Sequence, residues 1–226
     1  MAFDLGAADW SPLWLSLRVA SLALLISSAA GLGLAYLLTR ERFPGRDLLE
    51  VATTLPVVLP PTVLGYYLLV ALGRDSFIGE AYEAAFGQPL VFTWQAAVVA
   101  ACVHAIPLLV RSCRAAFESI DPDLGDAARS LGATEWRVFW RVTVPLARRS
   151  IAAAAIFAFA RALGDFGVTI MIAGNIPGRT QTMSVAIYDA VQSGRTGLAN
   201  GLVIVMSALA LTILYGMKLL GARRTI

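Results

Sequence analysis

Arg161 and Asp165 stand four residues apart in an apolar stretch, a spacing that brings opposite charges together on a helix and lowers the cost of placing them in lipid. A structural pair is the default reading. The sharper one is that Arg161 supplies positive potential along an anion route, with weak and transient contacts, because a tight site would trap what must leave. His104 is the only histidine and has no His or Cys three or four residues on to complete a metal site. An interhelical hydrogen bond is its plain explanation, with a ligand or proton-relay role as the alternative. Lys218 is the only lysine, and no GxxxxGK[ST] loop precedes it, so the chain cannot hydrolyse ATP by that route alone. No nucleophile elbow or HExxH pattern occurs either, and nothing in the sequence argues for an enzyme.

These residues sit in a chain that is 58% hydrophobic and 15% charged, with a mean hydropathy of +0.72, too apolar for an ordinary soluble domain. A helix needs about 20 apolar residues to cross a bilayer. Five stretches qualify: Leu13 to Leu38, Thr54 to Leu72, Val91 to Val110, Ile151 to Ala173, and Leu198 to Leu220. The expected fold is therefore all-α, a polytopic membrane protein of five transmembrane helices, counted as a single domain over residues 1–226. The first span follows Asp4 and Asp9 rather than a basic region and exceeds the core length of a secretion signal, so it is expected to stay in the mature protein.

Once the spans are drawn, thirteen of the eighteen basic residues fall on one side: Arg40, Arg42 and Arg46; the seven arginines at 111, 114, 129, 137, 141, 148 and 149; and Lys218, Arg223 and Arg224. Arg74, Arg179 and Arg195 lie opposite, and Arg18 and Arg161 fall within spans. The positive-inside rule puts the thirteen in the cytoplasm, the N-terminus outside and the C-terminus inside. Arginines that flank spans do not form a soluble nucleic-acid face. Cys102 and Cys113, about 16 Å apart along one helix, cannot bridge and read as buried apolar residues. Ser27 and Ser28 read as part of a small-residue packing surface.

The segment from Glu118 to Ser150 is too long and too patterned for a simple connection and reads as two short helices. Asp121 caps the first, Pro122 opens it, and Gly132 offers a left-handed stop. Thr134 caps the second, Trp136, Phe139 and Trp140 share one of its faces, and Pro145 marks the turn into span four. Ala127 and Ala128 permit close approach to another surface, and Leu131 supplies an apolar anchor. Such a helix suits a groove on a partner or, equally, an interfacial position on lipid.

Asp126-Ala127-Ala128, Gly132, Val142, Val144 and Pro145 reproduce the spacing EAA-x3-G-x9-I-x-L-P, and the chain here resembles the permeases of bacterial binding-protein-dependent ABC importers. Asp126 replaces the usual Glu, and valines replace Ile and Leu. The likeness extends through Leu55-Pro56-Val57-Val58-Leu59-Pro60-Pro61-Thr62-Val63-Leu64-Gly65-Tyr66-Tyr67, through Leu163-Gly164-Asp165-Phe166-Gly167, and through Ala173 to Thr180, where it is similar to molybdate permeases. Asp165 stands where that family usually carries Glu, and Val168 where it often has Ala. The resemblance implies a homodimer, two cytoplasmic ABC ATPase subunits that use ATP and Mg and receive the loop as coupling helices, and an extracytoplasmic molybdate-binding protein, in a bacterial inner membrane. It implies no cofactor or metal bound by this chain. Sulfate and tungstate permeases are similar in the second of those stretches. A secondary transporter or channel, or a structural or enzymatic membrane subunit, are rivals of another class.

Pro56, Pro60 and Pro61 must break or kink span two, since each removes a backbone donor and clashes with the preceding turn. Broken backbone at membrane depth survives where protein or water covers it, so this place is either pore-facing or a packing kink. In the outer loop from Asn175 to Gly197, Met183 to Val191 is apolar enough for a short helix beside the exit, against a solute receptor or packed on the pore.

Overall fold

The computed structural model describes residues 9–40 and 43–222. Asp4, Arg42, Arg223 and Arg224 lie outside the described residues, as do the side chains of Arg40 and Lys218. Helix α1 (Ser11–Arg40) opens on Asp9, whose carboxylate accepts both the hydroxyl and the N–H of Ser11. Those two bonds hold the Asp9 carboxyl below its ordinary pKa. At the far end, Arg46 donates from Nε and Nη2 to the Leu38 carbonyl, at 3.2 and 2.9 Å, and so satisfies an acceptor of the last turn.

Helices α2 (Arg46–Val58) and α3 (Pro61–Leu72) form a pair bent by 116° at Leu59 and Pro60. The span expected from Thr54 to Leu72 is thus two helices and begins earlier. Two prolines in succession decide where it breaks. Each disfavours helical geometry in the residue before it, and Leu59 and Pro60 are accordingly extended, with ψ of 138° and 137°. Pro56 instead stays inside α2.

Helix α4 (Phe77–Phe86) was not among the expected elements, although its signals are present: the Ser76 hydroxyl accepts the Gly79 N–H, and Gly87 closes it with φ of +70°. Helix α5 (Trp94–Glu118) runs eight residues beyond the expected end of the third span and contributes more buried residues to the core than any other described helix. It packs along α1 through small residues. Ala20, Ala23 and Ala35 of α1 and Ala97, Ala101 and Ala105 of α5 are all buried, and a methyl placed on Gly31 would stand 2.8 Å from the Leu109 Cβ. Ser27 is buried there, and Cys102 and Cys113 are free buried thiols, in keeping with the apolar reading of both.

Helix α6 (Pro122–Ser130) is the first of the two short helices expected after α5. The second is not separate. Helix α7 (Glu135–Val138), a π-helical turn (Phe139–Thr143) and α8 (Val144–Leu163) form one unbroken run of 29 residues. Pro145 therefore marks no turn between helices. Its ring cannot tolerate the Arg141 carbonyl in α geometry, and the wider π turn, in which the Val144 N–H bonds to the Phe139 carbonyl, accommodates it. The span expected to continue from Ile151 to Ala173 in fact ends at Leu163. The chain leaves the helix through Gly164, Asp165 and Phe166 before the short α9 (Gly167–Ile172).

The expected outer helix is α10 (Met183–Gln192), tied to α1 by the Met183 N–H donating to the Ser16 hydroxyl at 2.8 Å and packed on α11 (Thr196–Ala222). Four helical runs, Ser11–Thr39, Trp94–Glu118, Glu135–Leu163 and Thr196–Gly216, are long and apolar enough to cross a bilayer. The bent α2 and α3 pair raises the number to the expected five.

Candidate functional site

Two places combine unusual exposure with unusual chemistry, one at the end of the molecule that carries most of the arginines and one within the spans. At the first, Asp121 accepts the Asp123 N–H and Pro122 takes the opening turn of α6. The helix ends in a Schellman motif: Gly132 N–H bonds to Arg129 O at 2.8 Å and Ala133 N–H to Ala128 O at 3.1 Å, with Gly132 at φ of +80°. Thr134 adopts the backbone of a cap, but its side chain bonds to no helical N–H. Arg129 links the two arms of the loop. It pairs with Asp126 on α6 and, through Nε at 2.8 Å, with Glu135 at the start of α7, which also receives the Tyr36 hydroxyl of α1 at 3.3 Å.

This internal scaffold leaves the tip outward. Leu131 is 89% exposed, Trp136 is 72% exposed, and Leu124 and Trp140 are also open. Asp126, Ala127 and Gly132 are exposed and Ala128 is half-buried, so the small-residue face of α6 is bare. Phe139 differs from its neighbours Trp136 and Trp140. It is buried against Tyr36, with ring centroids 4.5 Å apart, and holds the loop to α1 instead of facing out. Val142 and Val144 are half-buried along the π turn, and Pro145 is exposed. The arrangement is an apolar knob held by caps and ion pairs, and among the described residues nothing covers its tip.

The second place is the gap between α8 and α9. Asp165 lies just past the end of α8 and is only 3% exposed, so its carboxylate needs partners. Arg161 Nη1 lies 3.2 Å from Oδ1, as the spacing of four led one to expect. Thr169, on α9, donates to Oδ2 at 2.7 Å, and His104 on α5 brings Nδ1 to 2.9 Å from Oδ1, though the ring N–H is not aimed along that line. Sequence spacing alone joins His104 to no particular partner, and Thr169, uncharged, carries no signal of its own. An inventory of ionisable groups within spans, matched by sign, would have suggested the first link, and the i, i+4 spacing from Asp165 the second.

The Arg161 side chain remains 41% exposed and lines a cavity of about 390 Å³ with Pro61, Gly164, Phe166 and Gly167. Pro61 thus joins Arg161 and Asp165, whereas Pro56, three residues before the break, and Pro60, which makes it, do not line that cavity. Two glycines let α3 and α9 approach each other. A Cβ on Gly167 would stand 2.6 Å from Pro61 Cβ, and one on Gly65 2.7 Å from Met171 Cβ. Among the described residues no three His, Cys, Asp or Glu side chains gather as a metal site.

Helices long and apolar enough to cross a bilayer, broken amid the spans beside a buried carboxylate, define a polytopic α-helical membrane protein. Residues 27–225 match the family of binding-protein-dependent transport system inner membrane components, and this chain belongs to that family. It is an ABC-type permease of the inner membrane. It is 47% identical over 205 residues to the molybdenum transport system permease protein ModB of Escherichia coli K12, an alignment covering 90% of this chain and 89% of that one. The sulfate transport system permease protein CysT of the same organism is 32% identical, over 99% of this chain and 85% of its own. In three dimensions it resembles a bacterial ABC transporter that imports the acidic polysaccharide alginate, with a TM-score of 0.77 at 18% identity, covering 98% of this chain and 82% of that one.

Proposed function

We propose that this chain is the permease subunit of an ATP-driven molybdate importer. Two copies enclose the pathway, two ABC ATPases bind the cytoplasmic ends, and a molybdate-binding protein delivers the anion from outside. The whole chain acts as one membrane domain, with its N-terminus outside and its C-terminus inside. The charge pattern supports that orientation, since the α6 loop and the start of α2, rich in arginine, share one end of the molecule.

The observation that carries the division of labour is the exposed Leu131 tip on a capped and ion-paired loop, in a chain without a phosphate-binding loop of its own. Asp126, Ala127, Ala128, Leu131, Gly132 and Trp136 form the surface that the ATPase grips, and Phe139, Val142, Val144 and Pro145 transmit its movement into α8. ATP and Mg are used by that partner, and this chain catalyses nothing. ATP binding draws the two ATPases together, the loops follow, and the paired permeases open outward to accept the anion; hydrolysis restores the inward state. The break at Pro60 and Pro61 and the Arg161 guanidinium lie along the route, where a single half-exposed cation attracts a tetraoxyanion without trapping it.

The solute is read from the 47% identity to the molybdenum permease, against 32% to the sulfate permease. The purified complex, reconstituted with its ATPase and receptor, is expected to take up molybdate with ATP. Tungstate should compete well and sulfate poorly. Uptake without any ATP-hydrolysing companion would replace this reading with a secondary transporter or channel, and preferential sulfate uptake would reassign the solute.

A further inference from the structure

At the opposite end of the molecule, a cavity of about 380 Å³ opens between the first turns of α1, the start of α5 and the turn at Gly178 to Thr180. Two arginines line it, Arg18 from α1 and Arg179 from the turn. Among the described residues no Asp or Glu lines this cavity, and neither guanidinium has a carboxylate partner. Arg18 lies instead over the Trp94 ring, 3.8 Å from its centroid, a contact that fixes the plane of the guanidinium, and no hydrogen bond to another described residue uses its edge donors. Uncompensated positive charge in a concave site calls for an anion, and a guanidinium fork fits a tetrahedral oxyanion.

The surroundings indicate which oxyanion. Trp14, 73% exposed, and Trp94 both line the cavity at the ends of spans, the level at which indole rings settle in a bilayer interface. Trp14, Arg18 and Leu25 follow one stripe of α1, and Leu25 and the adjoining Ile26 are both exposed deeper along the helix. A free anion has no use for an apolar strip below its site, whereas the chains of a lipid do.

We propose that this cavity binds the phosphodiester of a membrane phospholipid, with Arg18 and Arg179 on the headgroup and the Leu25 and Ile26 strip against the acyl chains. The site is independent of the solute and of the coupling loop, and it fastens α1 to α5 and to the turn that follows α9 on the outer side. A free tetrahedral anion shares the headgroup chemistry, so the test must separate the two sources.

The permease complex is purified in detergent, stripped of lipid and titrated with phosphatidylglycerol, bound lipid being counted by native mass spectrometry. Each arginine near a charged headgroup contributes roughly a fivefold change in binding, so R18Q with R179Q is expected to weaken lipid binding roughly 30-fold, while R18K with R179K keeps most of it. Sodium phosphate and sodium molybdate at millimolar concentration should leave bound lipid in place. Lipid binding unchanged in the double glutamine variant overturns the proposal, and so does displacement of the lipid by either inorganic anion. If the double variant fails to assemble, R179Q alone, in an exposed turn, is expected to show the fivefold loss; wild-type binding there overturns the proposal as well.

Discussion

Replacing Leu131 with alanine separates the two things a leucine can do, hold its own fold together or grip another protein. At 89% exposure this side chain contributes almost nothing to the stability of its own chain, and the substitution should change unfolding by no more than about 0.5 kcal/mol. Docked in a partner cleft the balance differs. Three carbons are lost, each worth about 0.8 kcal/mol when buried, so the contact weakens by about 2.4 kcal/mol, or roughly 60-fold in affinity, at each copy of the loop. The backbone of the tip is unaffected, because the Schellman bonds run through Gly132 and Ala133 and not through the Leu131 side chain. The assay has two arms: thermal unfolding of the detergent-purified chain, and binding of the ATPase subunit measured on the same preparation, with ATP-driven uptake as the functional readout. Leu131→Met, which keeps the volume, should bind nearly as wild type. Wild-type ATPase affinity in Leu131→Ala would refute the docking argument, and a large loss of stability would show that the tip belongs to the core of its own chain.

Gly132→Val should behave differently, since φ of +80° costs a β-branched residue at least about 1–2 kcal/mol in local stability while no neighbour within 4 Å blocks the side chain; the expected result is a membrane-inserted protein with lost ATPase coupling, checked by membrane yield against uptake. Asp165→Ala takes the shared acceptor from the buried Thr169 hydroxyl and from His104, and leaves Arg161, 41% exposed, to turn toward the cavity; it should cost about 1–3 kcal/mol, read as a fall in thermal midpoint, whereas Asp165→Glu should recover part of it. Gly167→Val forces the side chain against Pro61 Cβ, and the resulting overpacking should cost about 1–3 kcal/mol and reduce uptake at normal ATPase binding. Pro145→Ala removes the reason for the π turn, so Phe139 to Thr143 should relax toward α geometry, seen as a changed hydrogen-exchange pattern there with weaker coupling.

The class of fold is legible in the residues alone, because a bilayer demands long apolar runs and a fixed side for arginines, and both can be counted along the chain. So are the caps at Asp121 and Gly132, the pairing of Arg161 with Asp165 and the outer helix α10, since each depends on neighbours within a turn or two. Where the helices break depends on packing between distant segments. A proline reads locally as a stop, yet Pro56 and Pro145 are absorbed into helices, the latter by a π turn, while Leu59 and Pro60 open a bend of 116°. Span four ends early because its Gly164 to Gly167 segment lets α9 meet α3 and lets Asp165 meet His104, sixty-one residues earlier in the chain. Likewise Phe139 was drawn inward by Tyr36 while Leu131 was left bare. Local spacing specifies what a residue can bond to within its own helix; which distant surface reaches it first depends on how the helices pack.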